Sequence, residues 1–182
     1  SIVGLTFLGW LILLAWAAAS IDTRSNGLFV QKRVGRAGKP FGVVKIKTMR
    51  EIENFYTTVT KKGDPRITRL GSLWRKTKID ELPQLWNILV GQMSFVGPRP
   101  DVPGFADQLT GEARAILSVR PGITGPASLK YRNEEELLLE QDDPEFYNTN
   151  VIWPDKVRLN LEYIRRWSMK SDFNYILKTV FY

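Results

Sequence analysis

The chain has no cysteine and no histidine among its 182 residues. Without cysteine there is no disulfide framework, no thiol nucleophile and no thiolate zinc site. Without histidine, His-dependent triads and imidazole metal sites are excluded. Any chemistry must rest mainly on carboxylates, Lys, Arg and hydroxyls. The first residue is Ser rather than Met, from which we expect a piece of a longer protein. No internal repeat and no low-complexity linker is visible.

Acids are also in short supply. There are 26 Lys and Arg against 19 Asp and Glu, a net charge of +7. Such a balance fits anionic partners: nucleic acid, phospholipid or phosphorylated metabolites. The hydrophobic fraction, 43%, is that of an ordinary folded chain.

Residues 1–21, "SIVGLTFLGWLILLAWAAASI", carry no charge. As a helix this segment is about 31 Å long, the thickness of a bilayer core. A soluble helix of that length keeps a polar face, and a signal peptide has a basic start; neither is present. We read residues 1–21 as membrane-inserted. The pattern fits both a full span and a helix that enters and returns. From Asp22 to Arg50 the only acid is Asp22, against Arg24, Lys32, Arg33, Arg36, Lys39, Lys45, Lys47 and Arg50. Positive flanks stay on the cytoplasmic side, so residues 22–182 are expected in the cytoplasm as one domain, close to anionic headgroups.

The expected fold is α+β, mostly helical with a small β-hairpin. "GLFVQKRVGRAGKPFGVVKIKTM" reads as two strands around the turn "GRAGKP". That turn lacks phosphate-loop spacing, and Pro40 stands where Ser or Thr is needed. Lys45 and Lys47 alternate onto one strand face. Leu70, Leu73 and Trp74 share one face of a first helix. Asp80 is read as the N-cap of a second, with Pro83 in its first turn, an apolar face of Leu82, Leu85, Trp86, Ile88 and Leu89, and Gly91 as its stop. "QMSFV" reads as a short strand, 103–119 as helix, "RPGITGPASL" as an ordered loop and 134–141 as a short acidic helix. Residues 154–169 and 173–181 read as amphipathic helices with interleaved bases and aromatics, suited to a membrane interface.

Two features carry chemistry. Asp80 and Glu81 are adjacent, and on a helix neighbours point about 100° apart. They cannot easily flank one glycosidic bond as a glycosidase pair must. One can face a reacting atom while the other binds a metal or orients a partner. A helix N-terminus is expected to keep such a carboxylate ionised and nucleophilic. Bringing it to a diphosphate calls for Mg²⁺. The plain alternative is that Asp80 caps and Glu81 decorates the dipole. The second feature is Arg99, whose backbone is fixed by Pro98 and Pro100. That aims a guanidinium at a phosphate, or builds a rigid turn whose arginine meets a neighbouring carboxylate.

With these residues in view, the chain resembles the bacterial sugar transferases, the small monotopic phosphoglycosyl transferases. The motifs that carry the resemblance are "QKRVGRAGKPF", "KIKTM", "DPRITRLG", "WRKTKIDELPQLWNILVGQMSFVGPRP" and "RPGITG", and it runs the length of the chain. It implies transfer of a sugar 1-phosphate from a UDP-sugar to undecaprenyl phosphate with release of UMP, a membrane step of exopolysaccharide or lipopolysaccharide synthesis. It implies location at the cytoplasmic face of the bacterial inner membrane, among anionic lipids. Asp80 then matches the nucleophile of a phosphosugar-enzyme intermediate, and Glu81 supports the site. Both would hold Mg²⁺. Lys45, Arg75 and Arg99 with Pro98 and Pro100 match substrate-binding positions. The family's membrane helix carries a Ser-Pro kink that turns it back; here Gly9-Trp10 stands in its place, and the family's basic start is absent. A nucleic-acid-binding module with an anchor explains the charge but neither the acidic pair nor Arg99, so nucleic acid is not an expected partner. A non-catalytic membrane adaptor gives no reason for an intact Asp-Glu pair.

Overall fold

A computed structural model describes residues 1–52 and 64–181. The described residues are mostly helical, as expected, with two small two-stranded sheets, one of them the expected hairpin. It divides into two compact units. The first comprises 1–31 and 42–90, the second 32–41 and 91–182.

The first unit opens with α1 (Ile2–Thr23), which runs two residues beyond the expected end. It is helical without interruption through Gly9 and Trp10. It is the only helix among the described residues long and apolar enough to cross a membrane. Its small residues Ala15 and Ala19 are buried with Ile46 and Trp74, and Ala18, Leu70 and Ile79 pack around them. The spacing of four puts these alanines on one stripe, where a small side chain permits close approach. Toward the other end, a side chain at Gly4 would meet Leu85 at 3.3 Å. Phe7, Trp10, Leu13 and Leu14 stay exposed.

β1 (Leu28–Val34) and β2 (Pro40–Ile46) form the expected hairpin around a 3-10 turn at Arg36–Gly38. Past β2, Met49 bridges Ile67, and Thr68 N–H donates to Thr48 O at 3.1 Å. Thr68 caps α2 (Arg69–Thr77) by accepting from Gly71 N at 2.8 Å. Gly71 is required here, because a Cβ would fall 2.1 Å from Thr48 O. Trp74 is buried as read, but Leu73 is 53% exposed.

The second expected helix starts later than the sequence suggested. Ile79–Glu81 is a 3-10 turn, and α3 is only Gln84–Leu89, with Pro83 as its N-cap residue. Glu81 N, Leu82 N, Leu85 N and Trp86 N each bond the carbonyl three residues back. Pro83 has no N–H to continue an α-helical ladder, so the chain tightens around it. Gly91, at φ 79°, ends the segment as expected. Leu85 is buried, whereas Trp86 is 55% exposed and Leu89 is also open.

In the second unit β3 (Ser94–Val96) pairs in parallel with β4 (Gly122–Thr124), with Ser94 opposite Gly122 and Val96 opposite Thr124. The segment read as a loop thus supplies a strand, followed by α4 (Pro126–Lys130). A parallel pairing is non-local, and three residues carry no periodic signal. Residues 103–119 form two 3-10 stretches, Ala106–Gln108 and Gly111–Ser118, rather than one helix. Gly111 at φ 56° separates them. The acidic helix is α5 (Glu134–Leu139). α6 (Pro144–Tyr147) continues through a π stretch at Asn148–Ile152 into α7 (Trp153–Arg165), so helix begins well before Pro154. α7 buries Val157 against Val34, Ala106, Ile116 and Leu117. It stops at Arg165 rather than running to 169. α8 (Met169–Phe181) restarts there, with the Ser168 and Ser171 hydroxyls each accepting from the other's backbone N–H at 3.1 Å. That reciprocal cap fixes a new helix start.

Candidate active site

Lys45, Arg75, Asp80 and Glu81 belong to the first unit. α2 ends at Lys78, which adopts a left-handed conformation with φ 59° and ψ 17°. Lysine is rarely held there, and the reversal it makes carries the chain straight into the acidic pair. Ile79 packs with the α1 cluster. Asp80 and Glu81 follow, each only 8% exposed.

Asp80 is therefore not the helix cap the sequence suggested, and no helix dipole holds it ionised. Its carboxyl is pushed up to about 6, by burial first and by the Glu81 charge second. Lys45 pulls hardest the other way, followed by Lys78 and Arg75. Desolvation of the charged form wins over three nearby cations. Asp80 Oδ1 is buried and has no hydrogen-bond partner among the described residues. A buried carboxylate oxygen without a partner is costly and points to a group still to be bound. Among the described residues no group of three or more carboxylates could hold a metal ion by itself.

The motifs of this unit are knitted around the pair. Asn87 Nδ2 donates to Gly42 O at 2.7 Å, and Val44 N donates to Asn87 Oδ1 at 3.1 Å. This side chain pins β2, which carries Lys45. Asp64, buried, accepts from Arg66 at 2.6 Å and is held below the usual carboxylate range chiefly by that bond. Arg75 adds a pull on both Asp64 and Asp80. Lys47 is engaged elsewhere, with Glu51 at 2.8 Å and Ser25 at 2.9 Å.

Pro98, Arg99 and Pro100 belong to the second unit. Both prolines are buried and Arg99 is exposed. Arg99 Nη1 donates to Ile123 O at 3.3 Å. Gly122 N donates to Pro98 O, and Gly97 N to Thr124 O, both at 2.9 Å. A Cβ at Gly122 would fall 2.2 Å from Gly97 N, so the two backbones meet where only glycine fits. "SFVGPRP" and "RPGITG" are thus one structure. On the other side Arg33 donates to Pro100 O at 3.2 Å, and Val34 N to Asp101 O at 2.8 Å.

The sequence reading missed Asp101, Asn87 and Asp64. The Asp101 carboxyl is raised to about 6 by burial, against the pull of Lys156, Arg33 and Arg99. Its one signal was a carboxylate directly after the proline-caged arginine. Asn87 sat inside a run read as apolar, where a lone amide among leucines asks for a buried partner. Asp64 sits two residues before Arg66, a spacing that allows a local pair.

The profile of the bacterial sugar transferase family matches residues 1–182, and the chain belongs to that family. It is 35% identical over 176 residues to the UDP-glucose:undecaprenyl-phosphate glucose-1-phosphate transferase of Escherichia coli (93% of this chain, 35% of the relative). A protein of the same name from Caulobacter vibrioides is 35% identical over 175 residues (93% and 61%). The undecaprenyl-phosphate glucose phosphotransferase of Komagataeibacter xylinus is 38% identical over 194 residues (99% and 33%). The chain spans from about a third to about three fifths of the length of these relatives.

Proposed function

We propose that the chain transfers a sugar 1-phosphate from a UDP-sugar to undecaprenyl phosphate through a covalent intermediate on Asp80. The carrying observation is the buried Asp80 carboxyl with an unpartnered oxygen, beside Glu81 and under the pull of Lys45, Lys78 and Arg75. With its pKa raised only to about 6, the Asp80 carboxyl is mainly ionised at pH 7. Burial strips water from the nucleophile, and the cations offset the charge of an arriving diphosphate.

One Asp80 oxygen attacks the β-phosphorus. An O–P bond forms, the bond to the bridging oxygen breaks, and UMP leaves with that electron pair. An oxygen of undecaprenyl phosphate then attacks the same phosphorus, the acyl-phosphate bond breaks, and the Asp80 carboxylate is restored. The acceptor is already ionised, so no general base is consumed, in keeping with a chain that lacks histidine. Asp80 and Glu81, too few to cage an ion alone, would hold Mg²⁺, which when bound would neutralise charge on a diphosphate. Arg99, with its loop set by Pro98 and Pro100, holds phosphate oxygens by its planar fork.

The same reading places the protein at the cytoplasmic face of the inner membrane, against anionic lipids. The exposed apolar length of α1 and the basic flank after it support this. Intact-protein mass spectrometry after mixing with UDP-sugar alone tests the chemistry. An acid-stable sugar-phosphate adduct, absent in Asp80→Asn, is expected. No adduct, together with sequential kinetics, would make Asp80 a metal ligand rather than the nucleophile.

A further inference from the structure

α8 is amphipathic in reverse. Its inward side is largely polar: Asp172 accepts from Tyr163 Oη at 2.7 Å and from Trp167 Nε1 at 3.0 Å, and Tyr175 meets the Tyr163 ring edge-on at 5.8 Å. Its outward side exposes Phe173, Leu177, Val180 and Phe181. A helix that shows its apolar side to the outside is built for a lipid surface.

One contact joins this helix to the arginine loop. Thr124 Oγ1 and Thr179 Oγ1 lie 2.6 Å apart. Thr179 donates its single proton to Tyr175 O at 2.7 Å, so Thr124 is the donor across the pair. Thr124 is 5% exposed. Its own carbonyl takes Gly97 N, and the carbonyl before it takes Arg99 Nη1. β4 therefore grips the Gly97–Arg99 loop on one side and α8 on the other.

We propose that Thr124 and Thr179 are positioning residues for Arg99, their hydroxyl pair fixing the aim of that guanidinium against α8. This rests on Arg99 handling phosphate as described under the proposed function. Neither threonine touches substrate. Thr179→Val keeps the branched shape and removes the hydroxyl, leaving the buried Thr124 hydroxyl without its acceptor.

The test uses the whole chain on phosphatidylglycerol vesicles carrying undecaprenyl phosphate, with UMP release from UDP-glucose as the readout. Thr179→Val is expected to bind vesicles as wild type does and to lower kcat about three- to tenfold, the worth of one misplaced hydrogen bond. Thr179→Ser should restore the rate. In an Arg99→Lys background Thr179→Val should cost nothing further, since the two act through one group. A Thr179→Val protein that melts lower yet keeps wild-type kcat while Arg99→Lys is slow would overturn the inference and leave the arginine's role standing. Equal losses with and without Arg99→Lys would overturn it as well. Wild-type kinetics in Arg99→Lys would remove the arginine reading first, and this inference with it.

Discussion

Asn87 acts as a substitute strand for β2: its amide donates to Gly42 O at 2.7 Å and its carbonyl accepts from Val44 N at 3.1 Å. The side chain is 1% exposed. It ties the helix that follows the acidic pair to the strand that carries Lys45, the strongest cationic pull on Asp80.

Replacing Asn87 with Ala takes the side-chain partner from two half-buried backbone groups, Val44 N–H and Gly42 C=O. A loss of about 2 to 4 kcal/mol is expected, read by denaturant melts. Asn87→Asp should be no better, since it sets a carboxylate oxygen against the Gly42 carbonyl. Among molecules still folded, kcat for UMP release should fall, and Lys45→Ala is expected to lower it to a similar degree. An Asn87→Ala protein with normal melting and normal kcat would show that β2 holds Lys45 unaided.

How much of this was legible beforehand differs by element. The hairpin, α1, α5 and the short strand after Gly91 followed from periodicity and turn residues. The acidic pair and the proline-caged arginine were visible as residue types. Their surroundings were not. That Asp80 sits in a tight 3-10 turn depends on Pro83 breaking the ladder and on a left-handed Lys78, which no residue preference announces. That its pKa rises instead of falling depends on burial, a tertiary property. β4 was hidden because three residues in a Gly-Pro-rich run acquire strand character only from a partner far along the chain. Trp86 and Leu73 were read by their spacing as part of apolar helix faces, yet lie exposed, because composition does not say which apolar face meets protein.

The raised pKa of Asp80 gives opposite effects on activity and stability. Its folded pKa, about 6, lies above the ordinary aspartate value of 3.8. The fold binds this proton more tightly than the unfolded chain does, so the group's contribution favours folding below about pH 4 and is lost as pH rises through 6. At pH 8 the ionised carboxyl destabilises the fold by up to about 3 kcal/mol. Asp80→Asn should therefore be more stable than wild type at pH 8, equal to it near pH 4, and unable to release UMP. In wild type the rate of adduct formation should fall with pH as Asp80 takes up its proton. A flat profile from pH 5 to 8 would mean that ionised Asp80 is not the reacting group.

Lys78 carries a comparable conflict. A left-handed residue at a helix end is ordinarily glycine, and Lys78→Gly should relieve about 0.5 to 1 kcal/mol of strain. The same change removes a cation that draws the Asp80 pKa down, so the acid limb of the rate should move to higher pH. Higher melting with an unshifted limb would show that the Lys78 charge is spent on solvent.

The last prediction concerns α1. Within the first unit the helix meets Leu85 near Gly4 and Trp74 near Ala15 and Ala19. Eleven to fifteen residues separate these contacts, about 16 to 22 Å of helix laid along the segment that bears Asp80 and Glu81. A helix so attached at both ends cannot stand off across the bilayer as a bare anchor. It can lie in the near leaflet, with Phe7, Trp10, Leu13 and Leu14 in hydrocarbon, and with the exposed Trp86 and Leu89 of α3 meeting the same lipid. We expect both ends on the cytoplasmic side. These 182 residues contain no cysteine, so single replacements among them report cleanly. Ser1→Cys and Ser25→Cys should resist a membrane-impermeant maleimide added to intact spheroplasts and react once the membrane is opened. Labelling of Ser1→Cys in sealed spheroplasts, with Ser25→Cys still protected, would show instead that α1 crosses the bilayer, and its contact with Leu85 would have to be given up in the membrane.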